Sequence, residues 1–156
     1  MNDRFLPYIN ELDVSLNTLL AMTPLTPATL SSSMPERGVY LLSEGGRHLY
    51  VGRSNSIRAR LGRHSLPGAS HRMAAFAFRL AREATGFLKP TYRKGDGSRN
   101  HLMTQSHFVE AFTSGKARIR AMHVRFVEEA DPIKQMLLEV YVAVVLQTPY
   151  NDFDNH

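Results

Sequence analysis

Apolar positions recur with a helical period near both ends of the chain and with a strand period between them. Residues 3–22 carry Phe5, Leu6, Ile9, Leu12, Leu16, Leu19 and Leu20, spaced for an amphipathic helix that packs on the rest of the molecule. Thr23 to Glu36, with Pro24, Pro27, Pro35 and a run of serines, reads as a connector. Gly38 to Ser43 and Arg47 to Gly52 are β-prone runs separated by Glu44-Gly45-Gly46, residues suited to a hairpin loop that needs positive φ. A three-residue loop sets Tyr40 directly opposite Tyr50 with both rings on one face, a register that a single bulge would spoil.

Further on, Ser54 or Asn55 is placed to cap a helix over 54–64, with Ile57 and Leu61 on its buried side. Helical patterns follow over 69–84 and 101–112, and Ala117 to Val127, which mixes arginines with β-branched and aromatic residues, reads as a third strand. Asp131-Pro132 is a strong helix start for a helix over 132–147, with Ile133, Met136, Leu137, Val140 and Val144 as its packed face. These elements predict an α+β fold, a small, mainly antiparallel three-stranded sheet flanked by helices. The expected organisation is an N-terminal helix and connector over 1–35 and a main domain over 36–156, with an insertion at about 66–116.

Composition adds bounds. A chain of 156 residues is long enough for one ordinary core and too short for two. Nineteen Lys and Arg against fourteen Asp and Glu give a net charge of +5, which favours a polyanionic partner and fits nucleic acid better than a membrane. No apolar run approaches the roughly 18 residues of a spanning helix, and Asp3, Glu11 and Asp13 interrupt what would be the core of a signal peptide. With no cysteine in the chain, disulfides and thiolate zinc sites are excluded and a cytoplasmic location is expected. The seven histidines are scattered without zinc-ligand spacing.

The candidate chemistry lies in two places. Around the hairpin, Tyr40 and Tyr50 are followed by Arg53, Arg58, Arg60, Arg63 and His64, so phenols, guanidinium forks and a helix start meet in one block. That combination suits the reception of phosphate, although tyrosines in a sheet and arginines on a solvated face would look the same. Near the end of the chain, Glu139 is the sole charged residue of the run from Met136 to Leu146. A carboxylate so placed reaches solvent, pairs with an arginine or holds a metal. Asn151, after Pro149, fits a turn as well as a site. In the insertion, residues 86–99 form a Gly-rich basic loop with Lys89, Arg93 and Lys94 around aromatic residues, matching either a nucleic-acid contact or a solvated surface loop.

Gly38-Val39-Tyr40, a hairpin loop, Tyr50-Val51-Gly52, an arginine eight positions beyond that glycine, a later helix bearing Glu139, and then Pro149-Tyr150-Asn151 together resemble the GIY-YIG endonuclease family. The resemblance covers about residues 36–64 and 117–152 and is to a free-standing, single-domain member. It implies hydrolysis of DNA phosphodiester bonds with one divalent ion, Mg2+ or Mn2+, held by Glu139. It assigns Tyr50, with Tyr40 beside it, to positioning and deprotonating the attacking water. Arg60 would stabilise the phosphate, His64 would orient water or donate to the leaving group, and Asn151 would close the site. Arg53, Arg58, Arg63, Lys89, Arg93 and Lys94 would contact nucleic acid. DNA is the expected partner and RNA stays open; specificity would come from the insertion, a targeting partner or a homodimer, or be low. The alternative from a different class is a catalytically inactive nucleic-acid-binding module of the same fold.

Overall fold

A computed structural model describes residues 1–87 and 98–154. The structure is α+β, with one antiparallel three-stranded sheet and helices α1 (Leu6–Ile9), α2 (Leu12–Ala21), α3 (Ile57–Ser65), α4 (Ala75–Thr85), α5 (Arg99–Leu102), α6 (Ser106–Arg120) and α7 (Pro132–Leu146). The strands are β1 (Gly38–Glu44), β2 (Arg47–Ser54) and β3 (His123–Glu128), in the order β2-β1-β3. The chain forms two compact units, residues 1–60 with 122–156 and residues 61–121, the division falling inside α3. Among the described residues, no helix is long and apolar enough to cross a membrane.

In the first unit the central strand β1 is buried along nearly its whole length. Its core joins Leu16 and Leu19 of α2, Val39 and Leu41 of β1, Val51 of β2 and Leu138, Val142 and Ala143 of α7. The hairpin turns on Gly45 and Gly46 alone, at φ 60° and 77°, the left-handed conformation of a two-residue loop that glycine adopts without steric cost. The pairing also shifts between Leu42 and Ser43, skipping Leu49. The shorter loop and the bulge each move the register by one, so Tyr40 faces Gly52 and Tyr50 faces Leu42. This corrects the direct Tyr40–Tyr50 pairing expected from a three-residue loop.

Each sheet edge is met by a segment outside the strands. Leu25 forms a bridge with Val124 of β3, its N–H and carbonyl both engaged at 3.0 and 2.8 Å. Along β2, the Tyr150 N–H donates to the Leu49 carbonyl at 3.1 Å. The Asn151 side chain pairs with Val51, accepting from its N–H at 2.9 Å and donating to its carbonyl at 2.8 Å. The amide thus imitates a neighbouring strand's peptide group on an edge that would otherwise stay open.

Helix α7 starts as expected, with the Asp131 carboxylate accepting from the N–H groups of Ile133 and Lys134. Its packed face is not the expected one. Gln135, Leu138, Val142 and Ala143 are buried, whereas Ile133, Met136, Val140 and Val144 are 45, 45, 41 and 65% exposed. Because the helix is apolar nearly all round from Met136 onward, its period does not fix which face turns inward. Gln135 is buried and donates to Asn55 Oδ1 at 3.1 Å and to the Glu129 carbonyl at 2.6 Å. Asn55 is thereby used as an acceptor for α7.

The second unit packs α4 against α6. Phe78 meets Phe108 and Phe112 at centroid distances of 5.0 and 6.2 Å. Phe108, Phe112, Gly115 and Ile119 form one buried helical face, and this continuous period carries α6 to Arg120. The third strand is accordingly shorter than predicted from Ala117 to Val127, and Arg118 and Arg120 are helical. Lys116 is buried, with its ammonium donating to the carbonyls of Pro67 at 2.6 Å and Ala69 at 2.9 Å and lying 4.6 Å from the Phe112 ring centre.

Candidate functional site

The first unit brings four of the expected site residues together, Tyr40 from β1, Tyr50 from β2, Arg60 from α3 and Glu139 from α7. Strand alternation puts Tyr40, Tyr50 and Gly52 on one face and Val39, Val51 and Arg53 on the other. The two rings are diagonal neighbours, with centroids 6.3 Å apart and planes inclined at 41°. Tyr40 is completely buried because its ring lies over Gly52, and a Cβ at position 52 would collide with the Tyr40 hydroxyl and ring. The cross-strand glycine is therefore what lets Tyr40 reach Tyr50. A glycine inside a strand signals such a close approach, and this role was missed from the sequence.

Arg60 lies beside both hydroxyl groups. Its charge and hydrogen bonding favour the ionised form of each phenol, and the two tyrosines also act on one another. Burial pushes the Tyr40 hydroxyl well above the usual phenol range, and the neighbouring Tyr50 adds to this against the charge and hydrogen bond of Arg60. Burial also raises Tyr50, opposed by the Arg60 charge. Tyr50 is raised less than Tyr40, so of the two it is the better placed to carry a negative oxygen.

Glu139 lies mostly under cover, with 23% of its side chain exposed. Burial raises its carboxyl above the ordinary value, while the charges of Arg53 and Arg60 pull it down. The Arg53 Nε stands 3.5 Å from Glu139 Oε2, on a side chain that is 42% exposed. Arg53 thus contacts the carboxylate, and the charge of Arg60 also acts on it. Among the described residues there is no group of three or more His, Asp or Glu side chains that would enclose a metal.

No protein-family model matches this chain, and neither a curated protein nor a solved structure matches it.

The remaining predicted residues are placed as follows. Asn151 belongs to the edge of β2, and its Oδ1 also accepts from the Thr148 hydroxyl at 2.7 Å. Arg58 is exposed on α3 and lines an open cleft of about 480 Å³ together with Ser32, Met34, Glu36 and Ser56. Arg63 is exposed in the last turn of the same helix. His64 belongs to the second unit, where it is buried and meets Phe76 edge to face at 6.4 Å. Lys89, Arg93 and Lys94 lie outside the described residues.

Proposed function

We propose that this protein is a metal-dependent endonuclease that hydrolyses DNA phosphodiester bonds, of the GIY-YIG kind its motifs resemble. The observation that carries this reading is the pair of buried tyrosine rings, Tyr40 and Tyr50, with centroids 6.3 Å apart and coupled electrostatically to Arg60 and the half-buried Glu139. Phenols held by a guanidinium beside one carboxylate are an expensive arrangement to desolvate for structural purposes alone.

In this reading Tyr50 orients the attacking water and takes its proton, with Tyr40 and Arg60 stabilising the oxygen that becomes charged. Arg60 also faces the extra negative charge that develops on the phosphate. Glu139 offers one hard oxygen ligand, which suits a largely hydrated Mg2+ or Mn2+ that takes one or two carboxylates and completes its shell with water and substrate oxygens. Such an ion, when bound, polarises the phosphate and helps the leaving oxygen. The basic net charge and the exposed Arg58 and Arg63 suit contact with the DNA backbone. A cysteine-free chain fits a reducing cytoplasm.

Because the phenol of Tyr50 is raised, its basic form is scarce at neutral pH, and the cleavage rate should climb about tenfold per pH unit between pH 7 and 9. Tyr50→Phe should flatten that slope. The primary test is nicking of supercoiled plasmid with and without Mg2+, comparing the natural protein with Glu139→Ala. Mg2+-dependent nicking that the variant loses supports the reading. Folded protein that binds plasmid in a salt-sensitive manner, yet nicks neither plasmid nor branched nor single-stranded DNA, would establish the inactive binding module instead.

A further inference from the structure

We propose that in the free protein Arg53 occupies Glu139 in place of a divalent cation, so that Arg53 is a positioning residue that makes metal binding conditional on a phosphate arriving first. The inference rests on the nuclease reading of Glu139 and concerns the order in which its site is assembled.

Three observations carry it. First, Arg53 Nε and Glu139 Oε2 are 3.5 Å apart, and the carboxylate has only 23% of its side chain exposed. A cation entering that restricted space competes with the guanidinium already there. Second, the contact is loose. Charge-assisted N–H···O bonds close to about 2.7–2.9 Å, and guanidinium groups bind phosphate through two parallel bonds. A phosphate therefore offers Arg53 a better partner than this single contact. The stem of Arg53 is fixed by strand pairing with Val39, while the side chain is 42% exposed, so the head is able to swing without the backbone moving. Third, Arg53 and Arg60 together outweigh Glu139 in charge. Adding a divalent cation to that group is opposed by Coulomb repulsion, whereas adding a phosphodiester is favoured and turns the balance toward accepting a cation next. The site in its free state is thus an anion receptor, and the carboxylate becomes available to metal when the anion draws Arg53 away.

The test is Mn2+ binding by the full-length protein without nucleic acid, followed by the electron paramagnetic resonance of the free ion. Arg53→Gln should tighten Mn2+ binding at least fivefold, and the double variant Arg53→Gln with Glu139→Gln should lose that gain. Arg4→Gln, which removes the same charge from an exposed position elsewhere, should stay within about twofold of the natural protein. If Arg53→Gln does not fold by circular dichroism, Arg53→Met serves in its place, keeping the apolar stem without the charge. Unchanged Mn2+ affinity in the Arg53 variant, with binding still lost on Glu139→Gln, would overturn the competition and leave the metal role of Glu139 standing. An Arg4→Gln gain as large as that of Arg53→Gln would also overturn it, reducing the effect to net charge. Absence of any Glu139-dependent Mn2+ binding in all variants would overturn both the competition and the metal site.

Discussion

In the sheet unit Arg60 reaches two phenol oxygens and Arg53 a carboxylate, whereas in the helical unit Lys116 and Arg82 end on backbone carbonyls and lie over phenyl rings. Lys116 and Arg82 are each 5% exposed, with the Phe112 and Phe78 rings 4.6 and 5.0 Å away. A carbonyl is a fixed dipole, so a cation anchored on carbonyls closes a loop and has no reason to exchange its partner. Phenols and carboxylates change charge and rotate, so cations anchored on them are open to being re-paired by an incoming anion. Similar side chains thus serve as staples in one unit and, in the function proposed above, as a receptive site in the other.

The sharpest way to break this comparison is Arg60→Gln. Cleavage should fall by about 100- to 1000-fold, the usual consequence of removing one transition-state stabiliser, with the thermal midpoint changed far less. A rate within a few-fold of the natural one in a plasmid-nicking assay would place Arg60 among the staples.

Gly52→Ala comes next, on the stability side. A methyl group there strikes the buried Tyr40, which has no space into which to retreat, so urea unfolding should show a loss of about 3 kcal/mol. Lys116→Met should cost somewhat less, about 2 kcal/mol, because the carbonyls of Pro67 and Ala69 lose their donor. Nicking per folded molecule should not change, and a loss of activity at full folding would show that the helical unit does more than hold itself together.

Glu139→Gln should have the smallest effect on stability. Burial raises the Glu139 carboxyl above its ordinary value of 4.5, so the folded state holds that proton more tightly than the unfolded chain does. The favourable contribution is complete below that ordinary value and is lost as pH rises through the raised one, leaving ionised Glu139 a net cost at pH 7. The variant should therefore be neutral or more stable by up to about 1 kcal/mol at pH 7, with no advantage at pH 4, measured by urea unfolding at both. A marked destabilisation at pH 7 would mean that the Arg53 pair is structural.

Much of this was legible in the residues. Asp131-Pro132 announced the start of α7, and Gly45-Gly46 announced the hairpin, because caps and positive-φ turns depend on local chemistry alone. The sequence also named Tyr40, Tyr50, Arg60 and Glu139, which the structure brings near one another. The register of Tyr40 was not, since skipping Leu49 depends on what lies across the strands rather than within them. The inward face of α7 was misread for a related reason. Where apolar residues surround a helix, only its neighbours decide the phase, and the buried Gln135 found one of its acceptors, Asn55, on a segment distant in sequence. In α6, the β-prone residues near Ile119 were overruled by a helical face that had already begun at Phe108.

The bonds from Tyr150 and Asn151 to β2, a hundred residues earlier in the chain, give the tail a protective task. Cutting the chain after Pro149 would strip the N–H of Val51 and the carbonyls of Leu49 and Val51 of their partners, leaving a short ribbon able to template another chain. Proteolytic clipping at that point would then convert a finite sheet into one that grows by addition, and the visible outcome would be precipitation rather than simple unfolding.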